Sequence, residues 1–315
     1  MRLVVASQFD AASNARLAAL PIQPTVIDAP RDRPWEAADR ADVLLVLPAP
    51  IWRTALHMPR PAGWPGRLRW VFTASVGVDP YPEWLLDAPL VSCGRGVASE
   101  EIADYVMSAI YHREKDLEVV RARGPENWTP SSFGRVAGTT MGVIGLGAVG
   151  SAVARRALAS GMRVTSFRRR ALPSPVEGVE LLGDIGEVVA SADHILLALP
   201  ATDATRLLVD ASLLARARPT AHLINIARGS IVDQDALLAA LDAGRLAYAT
   251  LDVTDPEPLP PGHPLWTHPK VRLTPHISGN YLITRDVLLA KVIDNLQRFA
   301  AGEPPADIVD PRQGY

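Results

Sequence analysis

The sequence predicts an α/β protein made of two doubly wound parallel-sheet domains, and three observations carry that expectation. Short apolar or β-branched runs alternate with segments of helical periodicity along the whole chain, the pattern of parallel sheets covered by helices. The 315 residues, 48% of them hydrophobic, can bury a substantial core and are the usual length of about two domains. Finally, the last periodic segment is a helix with no strand after it, so it is free to pack back on an earlier unit.

The elements follow in order. Runs at 3–7 (LVVAS), 25–28 (TVID), 43–47 (VLLVL), 69–75 (RWVFTAS) and 90–93 (LVSC) predict one compact sheet. From Ala98 to about Arg121 the spacing of Ile102, Val106, Ala109, Ile110 and Leu117 predicts a helix, with Glu100 and Glu101 complementing the dipole of its first turn. A loop rich in Gly, Pro and Ser leads into a second sheet, read in TTMGVIGLG, RVTSF, VELLG, HILLALP, HLINIA, YATLDV and VRLTP. In the terminal helix Val287, Leu288, Val292, Leu296 and Phe299 share one face. Packing of that helix on the first sheet makes the first domain discontinuous, 1–97 completed by 281–315, with the second domain at 98–280.

Composition excludes several classes of protein. A formal net charge of −2 gives no electrostatic basis for binding nucleic acid or an acidic membrane. No apolar segment approaches the about 18 residues of a membrane span, and the single cysteine, Cys93, rules out an internal disulfide. A soluble cytoplasmic protein is therefore expected, with Cys93 as a small buried hydrophobe at a strand end. No metal site is expected.

The segment TTMGVIGLGAVGSAVARRALASG is a strand, a glycine turn and an amphipathic helix. In that setting Gly145 permits the tight turn, Gly147 lets the backbone approach a pyrophosphate, and Gly150 allows close helix packing; Leu146, Ala148 and Val149 complete the loop. The helix N-terminus then presents free N–H groups to the phosphates. The next strand ends in Arg168, Arg169 and Arg170, where an NAD-binding unit normally carries an acid. An acid there bonds the ribose hydroxyls, whereas arginine pairs with a 2′-phosphate. NADP(H) is the favoured cofactor, with NAD(H) possible; the alternative is three solvated arginines at an exposed strand end.

The runs GVIGLGAVG, LALPATDATRLLV, LINIARGSIVDQDALLAAL, ATLDVTDPEPLPPGHPLW and VRLTPHISG resemble the signatures of the D-isomer-specific 2-hydroxyacid dehydrogenases, most of all the glyoxylate/hydroxypyruvate reductase branch. The resemblance spans about Ala98 to Asn280. It is thinner in the first domain, where TASVGVDPY is similar to the substrate loop, and it returns in the C-terminal VDPRQGY. It implies a Rossmann cofactor domain, a flavodoxin-like substrate domain, and a substrate lying between them. It also implies reduction of a small 2-oxo acid to a D-2-hydroxy acid.

Residue by residue, the resemblance implies that His276 is the general acid–base and that Glu257 bonds its other ring nitrogen. Arg228 would hold the substrate carboxylate and carbonyl oxygen, helped by the backbone N–H groups of Val76 and Gly77. Ile226, Ala227 and Arg228, together with Asp252, His276, Ser278 and Gly279, would line the nicotinamide. Leu199, Pro200 and Thr205 would border the adenosine. Taken singly, His276 reads as a satisfied structural histidine, Glu257 as a loop acid, and Arg228 as a turn cap. Their joint occurrence after successive strands, beside the glycine turn, favours catalysis.

Thr254 stands where this family commonly has phenylalanine. Specificity is left to loops around Pro50–Arg53, where Trp52 is either a pocket wall or a core aromatic. A homodimer is implied by resemblance, and Tyr105, Met107 and Tyr111 suit a two-fold interface or their own core equally. Two rival readings keep the scaffold: a dinucleotide-sensing protein of the corepressor type that turns nothing over, and a formate- or phosphite-type dehydrogenase.

Overall fold

A computed structural model describes residues 2–130, 132–169 and 172–310. Arg170 and the PRQGY end of the C-terminal motif lie outside the described residues. The chain forms two compact units, one made of the described residues within Met1–Val97 and Tyr281–Tyr315, the other of Ala98–Asn280.

In the first unit the strands are β1 (Val4–Ser7), β2 (Thr25–Asp28), β3 (Val43–Val46), β4 (Trp70–Thr73) and β5 (Val91–Cys93), and the helices between them are α1 (Ala11–Ala18), α2 (Pro50–Ala55) and α3 (Glu83–Leu86). All pairings are parallel in the order β2-β1-β3-β4-β5, the flavodoxin-like order. Side chains alternate between two cores. Ala6, Leu44, Val46 and Val71 join a cluster of aromatic side chains on one face, while Val5, Val43, Leu45, Trp70 and Phe72 face the other. Trp52 belongs to the first cluster. It is fully buried, 5.5 Å from Tyr81 and 5.8 Å from Trp35 between ring centroids, and its Nε1 donates to the Leu47 carbonyl. This makes it a core aromatic. Cys93 is likewise buried, and burial pushes its thiol pKa up, which suits a packing role and not a nucleophile.

The second unit contains α4 (Ser99–Lys115), β6 (Thr140–Ile144), α5 (Ala148–Ala159), β7 (Arg163–Phe167), β8 (Val179–Leu181), α6 (Ile185–Ser191), β9 (His194–Leu197), α7 (Ala211–Leu214), β10 (His222–Asn225), α8 (Gln234–Asp242), β11 (Tyr248–Leu251) and β12 (Val271–Leu273). Its seven strands are all parallel in the order β12-β11-β10-β9-β6-β7-β8. The order reverses at β6, so a crevice opens at the carboxyl ends of β6 and β9, where open α/β sheets bind ligands. Two α/β layers of the predicted class are thus present, one per unit.

The helix expected to reach Arg121 stops at Lys115. Apolar periodicity carries α4 only while there is a core to meet it: Val106 and Ile110 are fully buried, whereas Leu117 is 69% and Val119 79% exposed. Without tertiary burial a further turn has little to stabilise it. Within α4, Met107 is buried and Tyr105 is half-buried, so both face their own core, and Tyr111 is the exposed one. The C-terminal α9 (Tyr281–Ala300) packs Leu288, Leu289, Val292 and Leu296 on the first sheet, with Phe299 partly buried beside them. Val287 departs from the expected apolar face and is 52% exposed. No described helix is long and apolar enough to cross a membrane.

At the amino edge of the second sheet His194 and His222 are neighbours in register and almost fully buried, with their Nδ1 atoms 3.4 Å apart. The Nε2 of His222 lies 2.8 Å from the Thr250 hydroxyl. Burial lowers the His194 pKa to about 4 and holds His222 well below the ordinary imidazole range. Both rings therefore fold neutral. Because the unfolded chain takes up protons below the ordinary imidazole value of 6.5 while folded His194 resists to about 4, stability is lost as pH falls through that window. For His194 alone the loss is roughly 3 kcal/mol. Urea unfolding at pH 7.5 and 4.5 checks this: His194→Gln should shallow the fall in stability, and an unchanged pH dependence would contradict it.

Candidate active site

The expected site residues of the second unit gather along one edge of its sheet, because each follows the carboxyl end of a parallel strand. Reading across that edge, His276 follows β12, Asp252 follows β11, Arg228 follows β10, Leu199 and Pro200 follow β9, Gly145 follows β6, and Arg168 follows β7. Val76 and Gly77 belong to the first unit, in the loop beyond β4, and Val76 is 38% exposed. The Ser75 hydroxyl braces that loop by donating to the Gly77 carbonyl and accepting from the Tyr81 hydroxyl, both at 3.0 Å.

The glycine turn has the geometry that a phosphate cradle needs. Gly145 has φ 107, and a Cβ there would sit 2.4 Å from the Ala198 carbonyl oxygen, so only glycine fits. A Cβ on Gly150 would lie 2.0 Å from the Gly145 oxygen, which is how closely α5 approaches the strand. At Gly147, by contrast, a Cβ would meet nothing within 4 Å. This open position caps α5, whose first N–H groups have no side-chain cap, and a helix N-terminus of this kind accommodates a phosphate. Register pairs Ile144 with Phe167, so Gly145 and Arg168 are the next residues on adjacent strands. The Arg168 guanidinium donates to the Pro173 carbonyl, and Arg169 is exposed. Beyond β9, the Thr205 hydroxyl donates to the Pro200 carbonyl at 2.7 Å and closes that loop.

Arg228 and Glu257 are carried on two backbones in close contact. Asn225, 1% exposed at the end of β10, accepts from the Ala227 N–H at 3.0 Å and donates to the Arg228 carbonyl at 2.9 Å, clipping the turn that presents the guanidinium. Ile226 and Ala227 are buried beside it. The turn then passes the loop of Glu257 so closely that a Cβ on Gly229 would stand 1.9 Å from the Thr254 carbonyl carbon. On the far side of that loop, the Gln234 amide makes two bonds to the Asp255 backbone, donating to its carbonyl and accepting from its N–H. Thr254, in place of the common phenylalanine, turns its hydroxyl to the Pro256 carbonyl at 2.9 Å.

The Nδ1 of His276 lies 2.7 Å from Glu257 Oε1. A carboxylate only accepts, so Nδ1 carries the hydrogen and Nε2 is left as the nitrogen that can give or take a proton. Glu257 also stabilises the imidazolium whenever Nε2 is protonated. The imidazole is 41% and the carboxylate 29% exposed, so the pair meets solvent or a ligand. Beneath it Asp252 is buried and bonds the backbone of Ile277 and Ser278. A proton-transfer imidazole, an oriented carboxylate and a guanidinium on one edge suit proton-coupled reduction of a carbonyl beside a carboxylate. Among the described residues no cluster of ligands suits a metal.

Such a site on a doubly wound dinucleotide scaffold defines an oxidoreductase. Residues 107–278 match the family model of the D-isomer specific 2-hydroxyacid dehydrogenase NAD binding domain, and the chain belongs to that family. It is 33% identical over 298 residues to the glyoxylate/hydroxypyruvate reductase A of Serratia proteamaculans, covering 90% of this chain and 91% of that protein. A glyoxylate reductase of Korarchaeum cryptofilum is 35% identical over 225 residues, 68% of this chain and 67% of that one. Among solved structures, a D-isomer specific 2-hydroxyacid dehydrogenase from Xanthobacter autotrophicus Py2, in complex with NADPH and MES, superposes with a TM-score of 0.81 at 30% identity, covering 100% of this chain and 99% of that one. The likeness to the reductases runs through the first unit as well, beyond the segment whose motifs carry it in the sequence.

Asn225 and Gln234 were not expected from the sequence. Asn225 had a readable signal, a polar residue closing a strand run before the arginine. Gln234 acts through a contact 21 residues away in sequence. Gly229→Ala should force the Arg228 turn and the Glu257 loop apart and cost on the order of 1–3 kcal/mol, read by denaturant unfolding; wild-type stability would show that the contact yields freely.

Proposed function

We propose that the protein is an NADPH-preferring reductase of small 2-oxo acids, of the glyoxylate and hydroxypyruvate type, giving D-2-hydroxy acids. The Glu257–His276 pair at 2.7 Å, on the same sheet edge as Arg228, is the observation that carries this reading. The dinucleotide, when bound, supplies the hydride. Gly145, Gly147 and Gly150 with the first turn of α5 hold its pyrophosphate, and Arg168 with Arg169 pairs with a 2′-phosphate. Arg228 orients the substrate by its carboxylate, and the fork of donors polarises the carbonyl oxygen. His276 gives its Nε2 proton to that oxygen as the carbonyl carbon is reduced, and in the oxidative direction takes it back. Glu257 keeps the ring in the tautomer that allows this.

The preference for NADPH is supported by the placement of Arg168 beside the glycine turn and by the absence of an acid at that strand end. The relatives named above as glyoxylate/hydroxypyruvate and glyoxylate reductases support the substrate class.

Oxidation of NADPH and NADH at 340 nm against glyoxylate, hydroxypyruvate, pyruvate, phenylpyruvate and oxaloacetate tests the whole reading. Turnover of the two smallest, faster with NADPH, is expected. Arg168→Asp should reverse or abolish the cofactor preference while sparing NADH, by about tenfold or more in kcat/KM for NADPH. Equal losses for both cofactors would return the arginines to the solvated-surface reading, and silence across the panel with tight NADPH binding would favour a sensor.

A further inference from the structure

His276 sits in the left-handed region of backbone space, at φ 53. A non-glycine residue stays there only when its surroundings impose it. What imposes it is Asp252. The buried carboxylate accepts from the Ile277 N–H at 2.9 Å and the Thr274 hydroxyl at 2.6 Å through Oδ1, and from the Ser278 N–H at 2.9 Å through Oδ2. The Asp252 carbonyl takes the N–H of His276 itself, also at 2.9 Å. One residue thus fixes the turn: its side chain before and after the imidazole, its carbonyl at the histidine itself.

Proton counting extends the chain. The Thr274 hydroxyl has one hydrogen, and it goes to Asp252, because a carboxylate only accepts. The Tyr105 oxygen lies 2.6 Å from the Thr274 oxygen, so the phenol must be the donor in that bond. Tyr105 is half-buried in the middle of α4, 169 residues away in sequence. The result is a directed series of bonds, Tyr105 to Thr274 to Asp252, that runs from a core helix to the turn carrying the acid–base histidine.

We infer that Tyr105 is a positioning residue for the reaction. Acting through Thr274 and Asp252, it holds the His276 turn so that Nε2 keeps its place, without itself touching substrate. This role rests on the one proposed for His276, and it adds α4 to the machinery. Placement to within about 0.5 Å is what proton transfer to a bound carbonyl requires of its supporting residues. A hydrogen-bonded series anchored on a buried carboxylate supplies that rigidity better than a loop whose backbone is free.

The test uses the full chain with Tyr105→Phe, Thr274→Val and Thr274→Ser. Steady-state reduction of glyoxylate with NADPH is measured alongside amide hydrogen exchange of the 274–280 segment. Thr274→Val should lower kcat about tenfold or more and Tyr105→Phe about three- to tenfold, with KM for NADPH within about twofold of wild type. Thr274→Ser, which keeps the hydroxyl, should restore most of the rate. Combining Tyr105→Phe with Thr274→Val should add little to Thr274→Val alone, as expected for members of one series. Exchange at Ile277 and Ser278 should quicken in both hydroxyl-deleting variants and not in Thr274→Ser.

Wild-type kcat and wild-type exchange in both deletions would overturn the inference. So would losses confined to KM for NADPH, which would make the series a cofactor contact. If the unaltered protein reduces none of the acids, the proposed function fails by itself. Exchange then decides the series alone: quickened exchange in the deletions supports it, and unchanged exchange overturns it.

Discussion

Everything at the candidate active site depends on the parallel alignment of seven strands. A parallel sheet sends all its carboxyl ends to one edge, so residues separated by as many as 131 positions, Gly145 and His276, come to lie on a single line. The energetic basis of that alignment is burial on both faces. Ile195, Leu197, Leu223 and Leu251 fill one core, and Met141, Val143, Leu196 and Ile224 fill the other. Nothing in the chemistry of His276, Glu257 or Arg228 brings them to this edge; the sheet does, and short loops then refine their positions.

That refinement is made by polar side chains, of which Asn225 and Asp252 are buried. Asn225 clips the arginine turn, Gln234 grips the Glu257 loop, and Asp252 holds the histidine turn. Each is a side chain bonded to backbone across a loop, the commonest way a fold satisfies main-chain groups that neither helix nor strand can pair. The result is that the three side chains proposed for catalysis stand on three braced loops, with the Arg228 and Glu257 loops further locked by the close passage of Gly229 against Thr254.

Much of this was legible in the chain because the signals are local. Strand runs such as VLLVL and HILLAL report burial directly, and GLGAVG between a strand and a helix permits few other readings. The proposed triad rests on something different, since a resemblance spread over several ordered motifs carries information that no one residue holds. What stayed hidden was long-range. The true end of α4 depended on whether a core existed to receive Leu117, and Trp52 became a core residue only because Trp35, Tyr81 and Trp84 close around it. Tyr105 and Met107, which suited an interface or their own core equally, face inward for the same reason. The neutral His194–His222 pair is formed by register between β9 and β10, and a lone histidine at a strand start carries no trace of its neighbour.

In the proposed mechanism Glu257 fixes the tautomer of His276 for proton transfer to a 2-oxo acid. The most direct measurement is kcat for glyoxylate reduction by Glu257→Gln at saturating NADPH, beside its Kd for NADPH. The amide keeps the size of the side chain but cannot stabilise an imidazolium. A fall in kcat of about 10²–10⁴-fold with NADPH affinity unchanged is the predicted result. A kcat equal to wild type would contradict the account.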